Sequence, residues 1–315
     1  MNKGVFVMGV VLLISFMHYE NNSSSLSFQL GKRLFYDPIL SADSSTSCAS
    51  CHSPFSAFAH NDHELSHGIG DRIGFRNAPA LFNLKNQTSF MWDGAIHHLE
   101  VQPLAPIHNS TEMGNSMREV VLKLKRNKKY QDLFYQIYRD TAITGERVLK
   151  CLAAFQQALV SRNAKYDSVR AGTSTFTTQE KKGYALYKKH CQSCHREPLF
   201  TGDEFVNNGL DIDTSLQDYG RMRVTNNPKD RLKFKIPSLR NLSYTYPYMH
   251  DGRFKKLYQV MQHYTVDICK KTDVDKRIRG GIPLTKNDNI DLIAFLLTLN
   301  DVHFTRDTTF RMNLR

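Results

Sequence analysis

The chain has 315 residues, 41% hydrophobic and 23% charged, a balance that excludes wholesale disorder and suits one large domain or two ordinary ones. Its 42 Lys+Arg against 30 Asp+Glu give a formal charge of +12, which favours anionic partners or surfaces, yet no run of lysines marks a nucleic-acid patch and none is expected. Six cysteines are too few for a disulfide scaffold at this length.

The N-terminus carries Lys3 and then an uncharged apolar run from Val5 to Met17. That run is too short to span a bilayer comfortably and has the length of a signal-peptide core. No A-x-A site follows it, so residues 1–20 read either as a cleaved signal or as a retained N-terminal anchor. No cysteine follows it either, which argues against a lipoprotein. No later apolar stretch reaches 18 residues. The expectation is export to the periplasm, with membrane contact only through that first segment.

Next along the chain comes Cys48-Ala-Ser-Cys51-His52, and far downstream Cys191-Gln-Ser-Cys194-His195. These C-x-x-C-H pentads are the signature of c-type haem attachment. Two thiols at this spacing add across the porphyrin vinyl groups, and the adjoining imidazole turns onto the iron. Six cysteines and 13 histidines would produce about 0.005 such pentads by chance. A zinc site or a thioredoxin-like pair would use C-x-x-C, but neither explains histidine at the next position twice.

The surroundings of the pentads repeat. Gly31-Lys-Arg-Leu34-Phe35 precedes the first and Gly183-Tyr-Ala-Leu186-Tyr187 the second. Downstream, Pro79-Ala-Leu81-Phe-Asn83-Leu84 is matched by Pro237-Ser-Leu239-Arg-Asn241-Leu242, and Met91-Trp92-Asp93-Gly94 by Met249-His250-Asp251-Gly252. Leu99 and Leu257 stand six residues beyond the two aspartates. The offset is 143 between pentads and 158 in the downstream block, so the second copy holds about fifteen extra residues between them. Periodic segments read as helices over Glu119–Tyr138, Arg147–Leu159 and Asn289–Leu299, and strands find little support. Ser168–Thr178 is small and polar, and Thr177-x-x-Glu180 is a capping box that opens a helix toward the second pentad. The expectation is an all-α fold of two tandem cytochrome c-like domains, 25–170 and 171–315. Cys151 reads as a small core thiol on the Arg147–Leu159 helix and Cys269 as a loop residue beside Lys270 and Lys271; a disulfide between them stays open.

A haem held by one histidine takes its sixth ligand from another side chain or keeps an open, reactive face. Thirteen residues after Asp251 stands Tyr264; the same register after Asp93 gives Pro106, which cannot bind iron. One haem is therefore expected to be capped and the other open. Tyr264 reads equally as a packed aromatic on a Leu257–Tyr264 helix. Gln102, Pro106 and Glu112 share one short stretch, and a carboxylate in a low-dielectric pocket can take a proton from one peroxide oxygen and return it to the other. Glu112 read alone is equally a solvated loop acid. Trp92, the single tryptophan, sits where an indole could relay an electron or fill a core.

Together these motifs resemble the bacterial di-haem cytochrome c peroxidases, in the branch that includes the MauG enzymes. The likeness rests on both pentads, Arg76-Asn77-Ala78-Pro79, Phe90-Met-Trp-Asp-Gly94, Leu99-Glu-Val-Gln102, Glu112-Met-Gly114, Pro237-Ser-Leu-Arg-Asn241 and Tyr246-Pro-Tyr-Met-His-Asp-Gly252. The resemblance implies two covalent haem c groups, the first reacting with peroxide and the second passing electrons, and a calcium ion between the domains. It implies a peroxide pocket of Gln102, Pro106 and Glu112, a relay at Trp92, and calcium ligands at the Asn77 side chain and the carbonyls of Thr245 and Pro247.

Ordinary members place methionine on the second iron; here the register gives Tyr264, as in MauG-type members, with Met261 one turn away and His263 adjacent. A distal histidine on the first haem would come from His60, His63 or His67, or be missing. Three functions follow: a peroxidase reducing hydrogen peroxide with electrons from a small redox protein or other donor, a MauG-like peroxide-dependent oxidase that modifies a protein, or a non-catalytic electron carrier. Gln102 and Glu112 beside a proline weigh against the carrier, which would cap both irons. The sequence leaves the oligomeric state open, although members of the family are often dimers.

Overall fold

A computed structural model of the chain describes residues 26–312, so the signal or anchor expected at 1–20 lies outside the described residues. The fold is mainly helical. The first half contains α1 (26–36), α2 (Cys48–Cys51), α3 (Leu104–His108), α4 (Met117–Arg126), α5 (Lys128–Tyr138) and α6 (Gly145–Ala158). After α7 (Lys165–Arg170) come α8 (Thr178–His190), α9 (Met222–Thr225), α10 (Leu257–Gln262), α11 (Lys286–Leu297) and α12 (Val302–Arg306).

Two apolar cores form. One gathers Leu34, Phe35, Phe58, Leu124, Phe134 and Phe155; the other gathers Tyr187, Phe200, Leu292, Phe295 and Leu299. Chain connections tie them together: Tyr166 of α7 packs into the second core and Phe304 of α12 into the first.

The halves repeat at the level of contacts. A Cβ on Gly31 would lie 1.8 Å from the Cys151 carbonyl oxygen, and one on Gly183 would lie 1.9 Å from that of Asp291. In each half, only glycine lets the helix before the pentad cross the helix after it at backbone contact. Asn83 and Asn241 both take positive φ, 55° and 63°, and their amides donate to the carbonyls of Leu159 and Leu299 at 2.8 and 3.2 Å. Met91 and Met249 pair in the same way, as do Gly94 and Gly252.

Local chemistry sets the element ends. The Thr177 hydroxyl accepts from Glu180 N at 3.2 Å and the Glu180 carboxylate accepts from Thr177 N at 2.7 Å, the capping box expected at the start of α8. The helix expected without interruption over Glu119–Tyr138 is instead two helices. Asn127 ends α4 and caps α5, its side-chain oxygen accepting from Lys129 N at 3.1 Å; that local bond competes with the helical ladder and turns the chain. A second departure is a two-residue antiparallel ribbon, β1 (Phe205–Val206) with β2 (Phe234–Lys235), in register Phe205↔Lys235. It closes the base of the loop that makes the second half longer, a pairing too short to leave a period in the sequence.

Candidate functional site

Both pentads are built to hold an imidazole at a fixed angle. His52 Nδ1 bonds the Phe58 carbonyl at 2.9 Å, and His195 Nδ1 bonds the Pro237 carbonyl at 3.0 Å. A carbonyl only accepts, so Nδ1 carries the hydrogen and the Nε2 lone pair is left for a metal. Burial pushes both imidazoles down to about 4, which keeps them in the neutral, ligating form. Burial pushes the thiols the other way, Cys48 and Cys191 to about 12 and Cys51 to about 11. Burial thus keeps these thiols protonated and uncharged. Neither pair is closed into a disulfide.

Cys151 and Cys269 are not joined either. Cys151 is sealed in α6 beside the Tyr138 hydroxyl, 3.8 Å away, whereas Cys269 is exposed and donates to the Thr265 carbonyl at 3.1 Å.

A cavity of about 290 Å³ runs from the second pentad to the seam between the halves. Cys191, Cys194 and His195 line it, with Tyr264 and Met261 from the segment after Asp251 and Trp92 from the first half. Tyr264 does not end a regular helix as expected. It sits in a π-turn, His263–Asp267, that continues α10; such wide turns re-aim one side chain and recur at functional sites. Burial pushes its phenol up to about 12, with Asn208 pulling the other way. His263 is turned away, its Nε2 bonded to the Asn208 carbonyl at 2.9 Å and the residue 3% exposed.

At the seam, Trp92 Nε1 donates to the Asn77 carbonyl at 2.9 Å, and the Trp92 carbonyl accepts from Lys235 N at 2.7 Å. The indole is thus held to the first half and the Trp92 backbone to the second. Beside it, Arg76 reaches Asp218 at 2.6 and 2.9 Å and Asp93 at 2.6 Å. Asp218 belongs to the extra loop of the second half, so that insertion supplies the clamp. Asn77, Thr245 and Pro247 line the same cavity. The Asn77 amide nitrogen donates to the Glu64 carbonyl at 3.0 Å, a bond that does not use its side-chain oxygen.

The other three residues lie on one continuous piece of backbone. Ala105 N donates to the Gln102 carbonyl at 3.2 Å, Met113 N to that of Pro106 at 3.1 Å, and Glu112 N to that of Asn109 at 3.0 Å. Gln102 and Trp92 line the large cavity; Glu112 and Pro106 do not. Glu112 stands instead near the first pentad, where its charge adds to burial in raising Cys48 and Cys51. Burial raises Glu112 itself above the usual carboxylate range, against an opposing 2.8 Å bond from Asn109. Glu112 is partly buried in a turn.

The histidine-bearing loop packs on this same point: Ile69 N donates to the Glu112 carbonyl at 2.8 Å and Cys51 Sγ to that of His67 at 3.4 Å. His63 and His67 stack at 4.3 Å, His67 Nδ1 meets Asp71 at 2.8 Å, and buried His60 has an Nδ1 without a partner. No local signal in the sequence marks the roles of Arg76, Asp218 and Asn208: Arg76 lies in the Arg76-Asn77-Ala78-Pro79 motif, but its partner is 142 residues away.

The sequence profile of the family described as di-haem cytochrome c peroxidase matches residues 25–175. The chain is 34% identical over 282 residues to cytochrome c peroxidase Ccp of Escherichia coli, covering 87% of this chain and 58% of that protein; it thus spans under two thirds of that relative. It is 36% identical over 280 residues to the methylamine utilization protein MauG of Methylorubrum extorquens, covering 86% of this chain and 77% of that one. The crystal structure of a MauG-like protein associated with microbial copper homeostasis matches with a TM-score of 0.79 at 30% identity, covering 91% of this chain and 92% of the other.

Proposed function

The chain belongs to the di-haem cytochrome c peroxidase family, and we propose that it reduces hydrogen peroxide to two waters, consuming two electrons from an external donor and two protons. Two haem c groups, when bound through Cys48, Cys51, Cys191 and Cys194, supply the redox-active irons. His52 and His195 would hold those irons through Nε2, each imidazole oriented by its carbonyl partner.

The observation that carries the reading is Glu112: a carboxylate with a raised pKa beside the first pentad, pinned by Asn109. Its free carboxylate oxygen takes the proton from one peroxide oxygen and delivers it to the departing one. Gln102, held near Met91 with Nε2 3.8 Å from the sulfur, would orient the peroxide, and Pro106, whose ring offers no metal-binding atom, would leave room for it. Trp92 carries electrons across the seam, and Tyr264 caps the second site. A calcium ion held by Asn77, Thr245 and Pro247 keeps the seam closed. The two halves derive from one duplicated haem domain, a reading supported by the matched glycine crossings and asparagine turns. The protein works in the periplasm, where haem c is attached.

The test is Glu112→Gln. Peroxide turnover falls by about 10²-fold or more, the range of general acid–base catalysis, with haem content unchanged. Undiminished turnover would remove Glu112 from the site.

A second reading, a MauG-like oxidase that directs peroxide's oxidising power at a protein, is favoured by Tyr264 lining the cavity where ordinary members place methionine.

A further inference from the structure

The helices that precede the two pentads are equivalent in position but not in surroundings. Aligned through Gly31 and Gly183, Leu30 corresponds to Lys182 and Tyr36 to Lys188. In the first half this face is covered by the chain itself. Leu30 is 2% exposed, Lys32 Nζ donates to the Thr309 carbonyl at 2.9 Å, and the Tyr36 hydroxyl donates to that of Phe310 at 2.8 Å. Among the described residues, the second half has no such cover. Lys181, Lys182, Lys188 and Lys189 of α8 are all exposed, and none forms an ion pair among the described residues.

Positions 181, 182, 185, 188 and 189 lie on one side of a helix, so the four ammonium groups form one ridge. The nearby acids do little to neutralise it. Glu180 is engaged by Lys165 at 2.7 and 2.8 Å and by the cap of its own helix. Asp288 lies near Lys189 and His190, but its carboxylate caps α11 through Thr285. Lys276 and Arg279, also exposed, flank Ile278 on another part of the cavity rim.

The ridge leads to the second pentad. Lys188 precedes Cys191 by three residues, about 5 Å along a helix, and His190 and Cys191 line the cavity. Beneath the ridge, the rings of Tyr184 and Tyr187 stack at 6.2 Å, and the Tyr187 hydroxyl donates to the His195 carbonyl. Lys188 Nζ lies 4.7 Å from the Tyr184 ring centroid.

We propose that the exposed face of α8 is the docking surface for an acidic protein electron donor, which binds the lysine ridge and passes its electrons to the second haem beside Cys191. This rests on the proposed function in that the protein needs an external donor. Charge complementarity selects the acidic partner. The position of the ridge selects a protein over an anionic lipid surface, because a lipid offers charge but no electron. In each transfer the donor's reduced centre loses one electron and the second haem iron gains it; no proton moves between the proteins.

The test uses the two-haem protein and its Lys181→Glu/Lys182→Glu/Lys188→Glu/Lys189→Glu variant. A control variant makes the same charge change at Lys125, Arg126, Lys128 and Lys129, exposed where α4 meets α5. Haem reduction is followed by stopped flow without peroxide, so the outcome does not depend on whether the protein is a peroxidase. One reductant is flavodoxin hydroquinone, an acidic protein; the other is photoreduced lumiflavin, small and neutral. The wild-type rate with flavodoxin is expected to fall at least tenfold between low salt and 0.3 M salt. The α8 variant is expected to be at least tenfold slower than wild type at low salt, the control within threefold of wild type, and lumiflavin equally fast with all three. A wild-type rate in the α8 variant, or an equal loss in the control, would overturn the proposal. So would loss of binding to anionic vesicles in the α8 variant with flavodoxin reduction intact, which would assign the ridge to a membrane surface.

Discussion

The clamp at Arg76 gives the seam a measurable strength. Arg76 is 12% exposed at its side chain, as is Asp93, and Asp218 is 2% exposed. Arg76→Met keeps most of the volume but leaves two buried carboxylates without their partner. Removing one member of a buried ionic group typically costs about 3–5 kcal/mol, most of it the penalty of the uncompensated charge. Loss of the guanidinium over Phe75, 4.9 Å from the ring centroid, adds roughly 0.5–1 kcal/mol. At about 2–4 °C per kcal/mol for a large chain, the unfolding midpoint should drop by roughly 7–24 °C in calorimetry at pH 7.

The pH dependence has a definite sign. Burial alone would raise Asp218, but hydrogen bonding and the charge of Arg76 hold it below its ordinary value. A depressed carboxylate stabilises the fold above its unfolded pKa, near 3.9, and loses that contribution as pH falls through the folded value. The gap between wild type and Arg76→Met should therefore narrow on acidification from pH 7 to pH 3. A drop below about 1 kcal/mol at pH 7, or a gap that widens in acid, would refute the reasoning. The same variant should slow electron passage between the halves, since Trp92 is anchored on both sides of this seam.

Tyr264→Phe should move the ferric spectrum of the second haem from six- toward five-coordinate and shift its potential; an unchanged spectrum would pass the role to Met261, which lines the same cavity. Chelation of calcium should lower peroxide turnover several-fold and lower the unfolding midpoint, both restored by added calcium, because an ion bound only by the folded state contributes RT ln(1 + [L]/Kd), about 2.7 kcal/mol at 100 Kd. Asn77→Ala should remove that restoration while leaving the Trp92 bond, which uses the Asn77 backbone.

Much of this organisation is legible in the sequence because it depends on local spacing. Attachment needs two thiols and an imidazole within five residues, and the two halves repeat Gly31 and Gly183, and Asn83 and Asn241, within matching motifs. The Thr177 capping box and the α6 and α11 helices are written in the same way. Interactions between distant segments leave no such trace: Arg76 and Asp218 join only after folding, and two-residue strands have no period to detect. The break at Asn127 was visible in principle, as asparagine favours caps, but the apolar spacing on both sides overrode it. The three histidines at 60, 63 and 67 offered equal spacing cues, and only their environments differ, His60 buried and His67 paired with Asp71.

In the proposed function the two haems occupy unequal sites, the first open to peroxide and the second capped. Electron paramagnetic resonance of the ferric two-haem protein tests it most directly, on a sample whose mass confirms about 1,230 Da of haem retained after denaturation. One high-spin and one low-spin signal in equal amounts are expected, with the high-spin signal lost on adding one equivalent of peroxide. Two low-spin signals, both unaffected by peroxide, would contradict it.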